Sequence, residues 1–542
     1  MQLPDMKYAS ATRRGRQDSF KGLNHTLGAG DGEIWDMENL TSDHAPVLAV
    51  RQKRYLYKTL DRPGGIFAHE KLGWVDDRGF YYDGEQRGSV NPGKKQFTAM
   101  GNYIIILPDK KCYNVKTGEF RKLEAEWTGS GVTFGNGVLY EEDAAANMIC
   151  CPGEMLDTVF KEGDAVEITG CTLHPENNKN PIIRAIDGDK LYFYEHVFTL
   201  SGEKGDEPYE EPGAITIRRK VPDLLFLCEN ENRLWGCDGD TIYASKLGDP
   251  FNWNVFDGLE TDSWFVTPGS PGPFLGGIDY KTFAILFKAD RIYKIYGSSP
   301  TSFTAVDSAS LGLEPESRGS LAVAGEVLYY LSRNGIMAYT GGIPQPIGEC
   351  FGTERFRDAS GGSDGLKYYV SMQGEDGRYR LYVYDTQKGL WHIEDEMHIT
   401  HFARVGGNLY GLTESGEIWI LRNGQDLPEE VVTEEDIRWY AEFADFYEEE
   451  TRKKEVRKIQ IRLDLDCGAE FDVYMQFDSD GIWRRVSSVI GDEEKRSHIL
   501  SVVPRRCDHY RIRLEGTGGC RVFAMTREYT VSSNPKSRPG RN

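Results

Sequence analysis

Short hydrophobic strands alternate with polar turns along most of this chain. The clearest unit runs from Asn230 to Phe256 and contains two predicted strands, Asn232 to Cys237 and Asp240 to Ser245. Asp238-Gly239 joins them, and this dipeptide is a strong signal for a tight hairpin. An aromatic-rich loop, Pro250-Phe251-Asn252-Trp253, then leads to the next strand.

Similar units recur, each a hydrophobic strand, a polar turn and a second strand that carries Tyr, Phe or Trp. They read KLGWVDDRGFYYDG, TAMGNYIIILPDKKCYNVKTGEF, TFAILFKADRIYKIYGSS, GEVLYYLSRNGIMAYTGG, LKYYVSMQGEDGRYRLYVYDTQKGLWHI and VGGNLYGLTESGEIWIL. This repetition is typical of β-propeller blades, and we predict six or seven of them in residues 61–120 and 221–425. A propeller is a scaffold, so function must be argued from other features.

The blade pattern is interrupted and bounded by segments of different character. Residues 1–60 are polar and turn-rich and predict an N-terminal arm, and residues 121–220 alternate like an inserted small β-domain. Residues 428–530 alternate over most of their length, which predicts a C-terminal β-sandwich, although Ile437 to Tyr447 fits a helical face as well as a strand. Residues 531–542 are predicted to be a disordered tail. The expected fold class is all-β.

Composition supports this reading and excludes several classes of function. The 542 residues include 60 Gly, 29 Tyr and 25 Phe, which favours an all-β chain with many turns. No apolar run is long enough to span a membrane, and the first residues lack the apolar core of a secretory signal. The formal charge of -21 argues against binding nucleic acid by neutralising phosphates.

Catalytic and metal-binding signals are weak. The chain has no phosphate-binding loop, no Gly-x-Ser-x-Gly elbow and no His-Glu-x-x-His. The 10 cysteines form no CxxC pair and are interpreted as reduced thiols, and His392, His398 and His401 are read as ordinary histidines rather than metal ligands. Ser479 to Trp483 resembles one aspartate box, but a hairpin turn beside a packed Trp explains it. We therefore expect no enzyme activity, catalytic residue, cofactor or metal.

Basic residues cluster only at the two ends of the chain. Arg13, Arg14 and Arg16 lie in the N-terminal arm, and Lys536, Arg538 and Arg541 lie in the tail. Such ends are usually solvated; the alternative is that the N-terminal arginines form an arm that docks on an acidic partner.

One group of residues resembles a known family. The motif "RLW…IYAS…GDPFNW" is typical of the tail nozzle, or DNA-stabilising, proteins of short-tailed bacteriophages and of related phage proteins. Further fragments that resemble this family are Phe287 to Asp290, Ile292 to Gly297, Ser317 to Ser320 and the opening Phe20 to Asn24. The motif residues are Asn232, Arg233, Leu234, Trp235, Ile242, Tyr243, Asp249, Pro250, Phe251 and Trp253.

The resemblance covers about two thirds of the chain and implies a structural virion protein with a propeller, an inserted β-domain and a terminal β-sandwich. It implies a homo-oligomer, expected to be a hexamer, that forms a tail nozzle or hub below the portal and adaptor rings. The ring would extend the DNA channel, retain the genome and permit its ejection, while DNA passes through without specific binding. The protein would be assembled in the host cytoplasm and reside in the virion tail. No catalytic residue is carried over from the family.

Two other classes of function remain open at this point. The first is a receptor-binding or tail-tip propeller module, which the acidic surface would suit equally. The second is a propeller-based enzyme that degrades glycans, for which repeated aspartate boxes or a central carboxylate cluster would be expected. Aspartate boxes do not repeat in the sequence.

Overall fold

The chain folds almost entirely into antiparallel β-sheets. A computed structural model describes residues 12–139, 144–424, 427–428, 430–450, 452–491 and 496–531. The described residues fall into two compact units, one within Met1–Leu60 and Gly319–Asn542 and the other within Asp61–Arg318. We call them unit 1 and unit 2. Apart from Val531, the predicted tail with Lys536, Arg538 and Arg541 lies outside the described residues.

The segment predicted to be an arm supplies strands to three sheets of unit 1. Its apolar residues explain this, because Ile34, Met37, Leu40 and Leu48 are all buried in the core of that unit. The strands are β1 (Thr12–Gln17), β2 (Ile34–Glu38), β3 (Leu40–Thr41), β4 (Leu48–Val50) and β5 (Tyr55–Thr59).

Unit 2 begins with two four-stranded sheets in which each strand pairs with the next along the chain. The second strand of such a sheet is almost wholly apolar and buried, as in Tyr103–Leu107, because other sheets cover both of its faces. The strands are β6 (Pro63–His69), β7 (Lys71–Asp76), β8 (Gly79–Tyr82), β9 (Glu85–Ser89), β10 (Gln96–Met100), β11 (Tyr103–Leu107), β12 (Lys111–Asn114) and β13 (Phe120–Lys122).

An inserted domain follows, with its own hydrophobic core. It contains a three-stranded sheet, a five-stranded sheet and two short 3-10 helices, Leu156–Thr158 and Pro175–Asn177. Its strands are β14 (Ala125–Gly129), β15 (Thr133–Leu139), β16 (Ala144–Cys150), β17 (Glu167–Thr169), β18 (Ala185–Asp187), β19 (Lys190–Tyr192), β20 (Tyr209–Glu210) and β21 (Ile215–Arg219).

Two further four-stranded sheets complete unit 2. The outermost strand of the second is largely exposed, as expected for a strand with one free edge. Their strands are β22 (Phe226–Asn230), β23 (Arg233–Asp238), β24 (Thr241–Ala244), β25 (Trp264–Val266), β26 (Gly276–Tyr280), β27 (Phe283–Phe287), β28 (Arg291–Tyr296) and β29 (Thr304–Ala309).

Unit 1 contains three more sheets of the same kind. In the last of them the N-terminal strand β5 pairs with β40, so residues far apart in sequence complete one sheet. The strands are β30 (Ala322–Ala324), β31 (Val327–Ser332), β32 (Gly335–Tyr339), β33 (Gln345–Pro346), β34 (Arg357–Ser363), β35 (Lys367–Gln373), β36 (Tyr379–Asp385), β37 (Leu390–Asp395), β38 (Ile399–Val405), β39 (Asn408–Thr413), β40 (Glu417–Arg422) and β41 (Val432–Thr433). Two more 3-10 helices span Arg318–Ser320 and Glu349–Phe351.

A β-sandwich closes the chain. One sheet has the order β3-β4-β49-β43-β46 with β1 and β47 at its side, and the other has the order β2-β42-β48-β44-β45. The strands are β42 (Arg438–Phe443), β43 (Lys454–Leu465), β44 (Glu470–Phe477), β45 (Arg484–Ile490), β46 (Ser497–Ser501), β47 (Arg506–Cys507), β48 (Tyr510–Thr517) and β49 (Cys520–Val531). The strand alternative for the ambiguous segment is confirmed by β42. N-terminal strands β1 to β4 share these sheets, so the sandwich also includes residues that precede 428.

The fold is therefore all-β, with β-propeller blades, an inserted β-domain and a C-terminal β-sandwich. Seven blade sheets lie among the described residues, four in unit 2 and three in unit 1. No helix in the described part of the chain is long and apolar enough to cross a membrane.

Candidate functional site

The motif residues lie on one blade of unit 2, in β23, β24 and the loop after them. Leu234 and Ile242 are fully buried and Trp235 is nearly so, and they fill the cores on either side of the blade. Tyr243 is only half-buried and stacks on Phe265 with ring centroids 6.2 Å apart. These four side chains therefore pack the blade.

Two boundaries of this hairpin differ from the sequence prediction. Asn232 was assigned to the first strand, but together with Glu231 it has a positive φ and forms the turn that precedes β23. At the other end Asp238 pairs with Thr241, so the tight turn consists of Gly239 and Asp240. Gly239 has φ +56°, a conformation that glycine adopts without strain.

Arg233 is a buried cation that binds three backbone carbonyl groups and lies over the Phe303 ring, 5.4 Å from its centroid. Its Nη1 donates to the oxygens of Ser245 (2.8 Å) and Asp262 (2.6 Å), and its Nη2 donates to that of Glu260 (2.7 Å). Burial lowers the pKa of this guanidinium, but the ordinary value is so high that the charge is retained. Arg233 therefore ties the long loop between β24 and β25 to the blade.

The Asp249-Pro250-Phe251-Asn252-Trp253 loop is a self-supporting turn. Asp249 accepts hydrogen bonds from the Phe251 amide (2.8 Å) and from Asn252 Nδ2 (2.7 Å). Trp253 is 2% exposed and donates its indole N–H to the Pro250 carbonyl at 3.0 Å. The aromatic residues thus face the core rather than a ligand.

This loop also fastens the inserted domain to the blade. Asn252 Oδ1 accepts the Ala165 amide at 3.0 Å, and Asn252 Nδ2 donates to Asp164 Oδ1 at 3.0 Å. Asp164 in turn forms a buried ion pair with Arg219, whose Nη2 donates to the Leu123 carbonyl at 3.0 Å. We call Asp164, Arg219, Asp249 and Asn252 the motif junction.

A second junction, in unit 1, holds the N-terminal segment against the blades. Arg54 is completely buried and binds Glu394 Oε2 at 2.6 Å and the carboxylate of Asp395. Arg51 makes a two-pronged contact with Glu434, at 2.7 and 2.8 Å. Because both arginines precede β5, these pairs fix the strand that completes the last blade.

Another ionic cluster lies earlier in the same segment. Asp43 accepts hydrogen bonds from Lys367 (2.6 Å) and Arg422, and Ser42 Oγ donates to Asp385 at 2.7 Å. Together with Arg51, Arg54 and their partners, these residues form what we call the N-terminal clamp.

Two acids of the clamp, Asp43 and Glu394, have lowered pKa values. Burial alone would raise the pKa of Asp43, but hydrogen bonds from Arg422 and Lys367 hold it well below its ordinary value. Burial would also raise the pKa of Glu394, but His392 and Arg54 oppose this effect and the pKa falls to about 2. Both carboxylates are therefore charged at neutral pH, and they stabilise the folded state through their cations.

A groove of about 760 Å³ opens beside the N-terminal segment of unit 1. Two of its four charged side chains are anchored to the protein, since Glu33 accepts from Asn24 at 2.9 Å and Lys388 donates to the carbonyls of Ser42 and Asp43. Burial raises the pKa of the Cys350 thiol to about 12, so it is not a thiolate nucleophile at neutral pH.

The three neighbouring histidines do not converge on one point. His392 is buried beside Glu394, whereas His398 stacks on Tyr379 with ring centroids 3.5 Å apart and His401 contacts Thr400 at 3.1 Å. Among the described residues no group of three or more His, Cys, Asp or Glu side chains has the geometry to hold a metal ion. All ten cysteines are free thiols.

The proposed docking arginines lie on β1, which pairs with β49 over its whole length. Arg13 pairs with Glu450 at 2.9 Å, Arg14 with Glu528 at 3.4 Å and Arg16 with Asp18 at 3.1 Å. Arg14 and Arg16 remain 73% and 68% exposed, so such pairs are weak and leave both cations accessible. Their role in docking remains a prediction.

Sequence reasoning missed most of the residues that build the two junctions. Asn252 lies inside the recognised loop. Its role could have been predicted, because a side-chain amide within an apolar turn needs hydrogen-bond partners. Asp164 and Arg54 gave no local signal, since their partners lie 88 and 340 residues away in sequence.

Comparisons with known proteins leave the family open. No family model matches the chain, and no curated protein matches it. Among solved structures, Raptor from Chaetomium thermophilum is 12% identical with a TM-score of 0.29; the match covers 76% of this chain but only 30% of Raptor. Hsv2 from Kluyvelomyces marxianus is 10% identical with a TM-score of 0.24, covering 66% of this chain and 93% of Hsv2. Likenesses this weak say nothing about function.

Proposed function

We propose that this protein is a structural component of a bacteriophage tail, a nozzle or hub that forms a ring and extends the DNA channel. In this proposal it assembles as a homo-oligomer, expected to be a hexamer, against the adaptor and portal rings. It retains the packaged genome and lets DNA pass on ejection, without catalysis and without specific binding to DNA.

The observation that carries the proposal is the way the motif is used. Its fragments resemble the nozzle family, and their side chains pack a blade and fasten the inserted domain. Motif residues that are buried in packing and in a junction between domains suit a structural ring protein. An active site would instead have to present such residues to a substrate. The architecture of blades, insertion and sandwich is also the one that the resemblance implies.

Charge gives independent support. A channel through which DNA slides should not grip phosphates, because each phosphate neutralised by Lys or Arg adds affinity and drag. The chain has 85 acidic and 64 basic side chains, giving the formal charge of -21. An acidic or neutral channel wall is therefore expected, with repulsion that fades within about 8 Å at physiological salt.

Electron microscopy of the purified protein and of the parent particle tests the proposal. We expect a six-fold ring, and an antibody against the protein should label the tail below the portal. Labelling only at the far tip of the tail would favour the receptor-binding alternative, and absence from purified particles would refute the proposal. The purified protein should show no measurable binding to duplex DNA at physiological salt; micromolar affinity with a steep salt dependence would contradict a passive channel.

A further inference from the structure

The two outer faces of the sandwich in unit 1 carry opposite charge. The first, which we call the basic face, belongs to the sheet of β1, β49, β43, β46 and β47. Residues on it alternate with buried residues such as Ile459 and Met525, so their side chains point outward. Register places six cations and three carboxylates there: Arg14, Arg16, Lys458, Arg462, Arg506 and Arg521, with Glu455, Asp464 and Glu528.

The second, the acidic face, belongs to the sheet of β2, β42, β48, β44 and β45. Here the inward partners are residues such as Ala441, Val473 and Leu514, all fully buried. The outward positions hold six carboxylates and four cations: Asp36, Glu38, Glu442, Glu470, Asp472 and Glu515, with Arg438, Arg485, Arg511 and Arg513.

Neighbouring pairs already neutralise much of the acidic face. Arg511 binds Glu442 at 2.7 Å, and Arg485 binds Asp472 at 2.7 Å. Arg513 lies 3.1 Å from Glu515. What remains is an excess of carboxylates centred on β2 and on Glu470, opposite in sign to the excess of cations on the basic face.

Both faces also carry apolar or aromatic groups among their charges. Ile499 is 58% exposed on the basic face, and Phe523 on the same face is half-buried. Tyr440 and Tyr474 are half-buried on the acidic face, and Arg513 stacks over Tyr440 at 4.3 Å. Amphipathic aromatic residues with charged neighbours are typical of protein interfaces rather than of surfaces that bind phosphate.

We propose that the basic face of one copy docks on the acidic face of a second copy of this chain. The size is sufficient: five strands about 4.8 Å apart and about seven residues of about 3.3 Å each give about 550 Å² for the acidic face. Two such surfaces bury about 1,100 Å² in total, which is above the roughly 1,000 Å² expected of a specific interface. Complementary charge would set the orientation and speed the encounter.

The contact joins two different surfaces, so each copy keeps one of them free for another neighbour. Repetition of such a head-to-tail contact generates a closed ring or a filament. This proposal rests on the proposed function in one respect, because a ring requires contacts of this type. It adds which two surfaces make those contacts.

Charge reversal with rescue tests the proposal. Variant X carries Arg16→Glu and Arg462→Glu on the basic face, and variant Y carries Glu470→Lys and Glu515→Lys on the acidic face. A control carries Arg62→Glu and Lys71→Glu on unit 2, which changes the net charge as X does but alters neither face. Circular dichroism and thermal midpoints establish that each variant is folded. Light scattering and sedimentation velocity then report assembly at about 0.1 M salt, where charges interact over about 10 Å.

We expect X alone and Y alone to associate at least about tenfold more weakly than the natural chain, because each sets like charge against like. Mixing X with Y should restore assembly. The reversed basic face of X is then complementary to the reversed acidic face of Y, and the unchanged basic face of Y still fits the unchanged acidic face of X. The control should assemble normally. Normal assembly of X or Y alone, or no recovery in the mixture, would overturn the proposal. The proposal would also be overturned if reversing the charge of the basic face removed DNA binding while self-association stayed intact.

The outcomes also separate this inference from the proposed function. Rings that form unchanged from X would place the interface elsewhere and leave a tail role standing. Rescue by mixing, in a protein that is absent from purified particles, would establish the interface and refute the tail role.

Discussion

The motif junction and the N-terminal clamp solve the same structural problem with different chemistry. Each fastens a non-blade segment to blades of its own unit. In unit 2 the central contact is a neutral amide, Asn252, within a short aromatic turn, and a single ion pair supports it. In unit 1 the contacts are a network of buried charges around Arg51, Arg54 and Asp43.

The difference has an energetic consequence. A buried ion pair contributes little when compared with apolar residues of the same shape, yet removing one partner leaves an uncompensated charge. A neutral hydrogen bond costs less to form and less to lose. The clamp should therefore be the more fragile junction towards single substitutions, because more of its contacts are between buried charges.

The largest effect is expected from Arg54→Met. The change leaves Glu394 buried without its arginine and leaves Asp395 with Arg51 alone, at 3.7 Å, which should destabilise the last blade by about 3–5 kcal/mol. Hydrogen exchange of peptides covering β5 and β37 measures this locally. The matched control is Arg62→Met, because Arg62 is 77% exposed and its pair with Asp77 should be worth less than about 1 kcal/mol. Equal protection in both variants would show that the clamp does not hold β5.

A smaller effect is expected from Asn252→Ala. The substitution leaves the Ala165 amide and one oxygen of Asp164 without their partner, at a cost of about 1–3 kcal/mol. Exchange should increase in β17 and β21 of the inserted domain while β23 stays protected. Asn102→Ala, at an exposed turn of the same unit, serves as the control. Loss of protection throughout the blade instead would mean that the loop supports the blade core more than the junction.

These two junctions show how far the sequence could lead. The alternation of strands and turns was sufficient to predict the all-β class, because six of the seven described blades are local meanders whose strands pair with their sequence neighbours. The GDPFNW loop could be recognised for the same reason, since Asp249, Phe251 and Trp253 bond within the loop itself.

The clamp could not be predicted, because its contacts are set by the folded topology rather than by spacing. Arg51 meets Glu434 from 383 residues away, and nothing near either residue distinguishes it from the other charged side chains. The same limit applies to the N-terminal segment. Its polar, turn-rich character predicted an arm, whereas the few apolar residues that decide its place in the sandwich are spread over β2 to β4.

The smallest effect concerns the acid dependence of the clamp. Since the folded-state pKa of Asp43 lies below its ordinary value of 3.8, its contribution to stability is full above that value and is lost as the pH falls further. In the double variant Lys367→Met, Arg422→Met the two cations are gone, and burial should instead raise the pKa of Asp43. Protonation of Asp43 then removes a buried charge. Lowering the pH should therefore stabilise the variant, whereas it destabilises the natural chain.

The gap in unfolding free energy between the two proteins should therefore narrow between pH 7 and pH 3, by at most about 1.4 kcal/mol per pH unit for one proton. Urea titrations that follow the first unfolding transition at several pH values measure this gap. The control, Arg62→Met with Lys71→Met, removes one Arg and one Lys from exposed pairs of unit 2 and should run parallel to the natural chain. A gap that stays constant for the clamp variant would mean that Lys367 and Arg422 act through packing and not through the charge of Asp43.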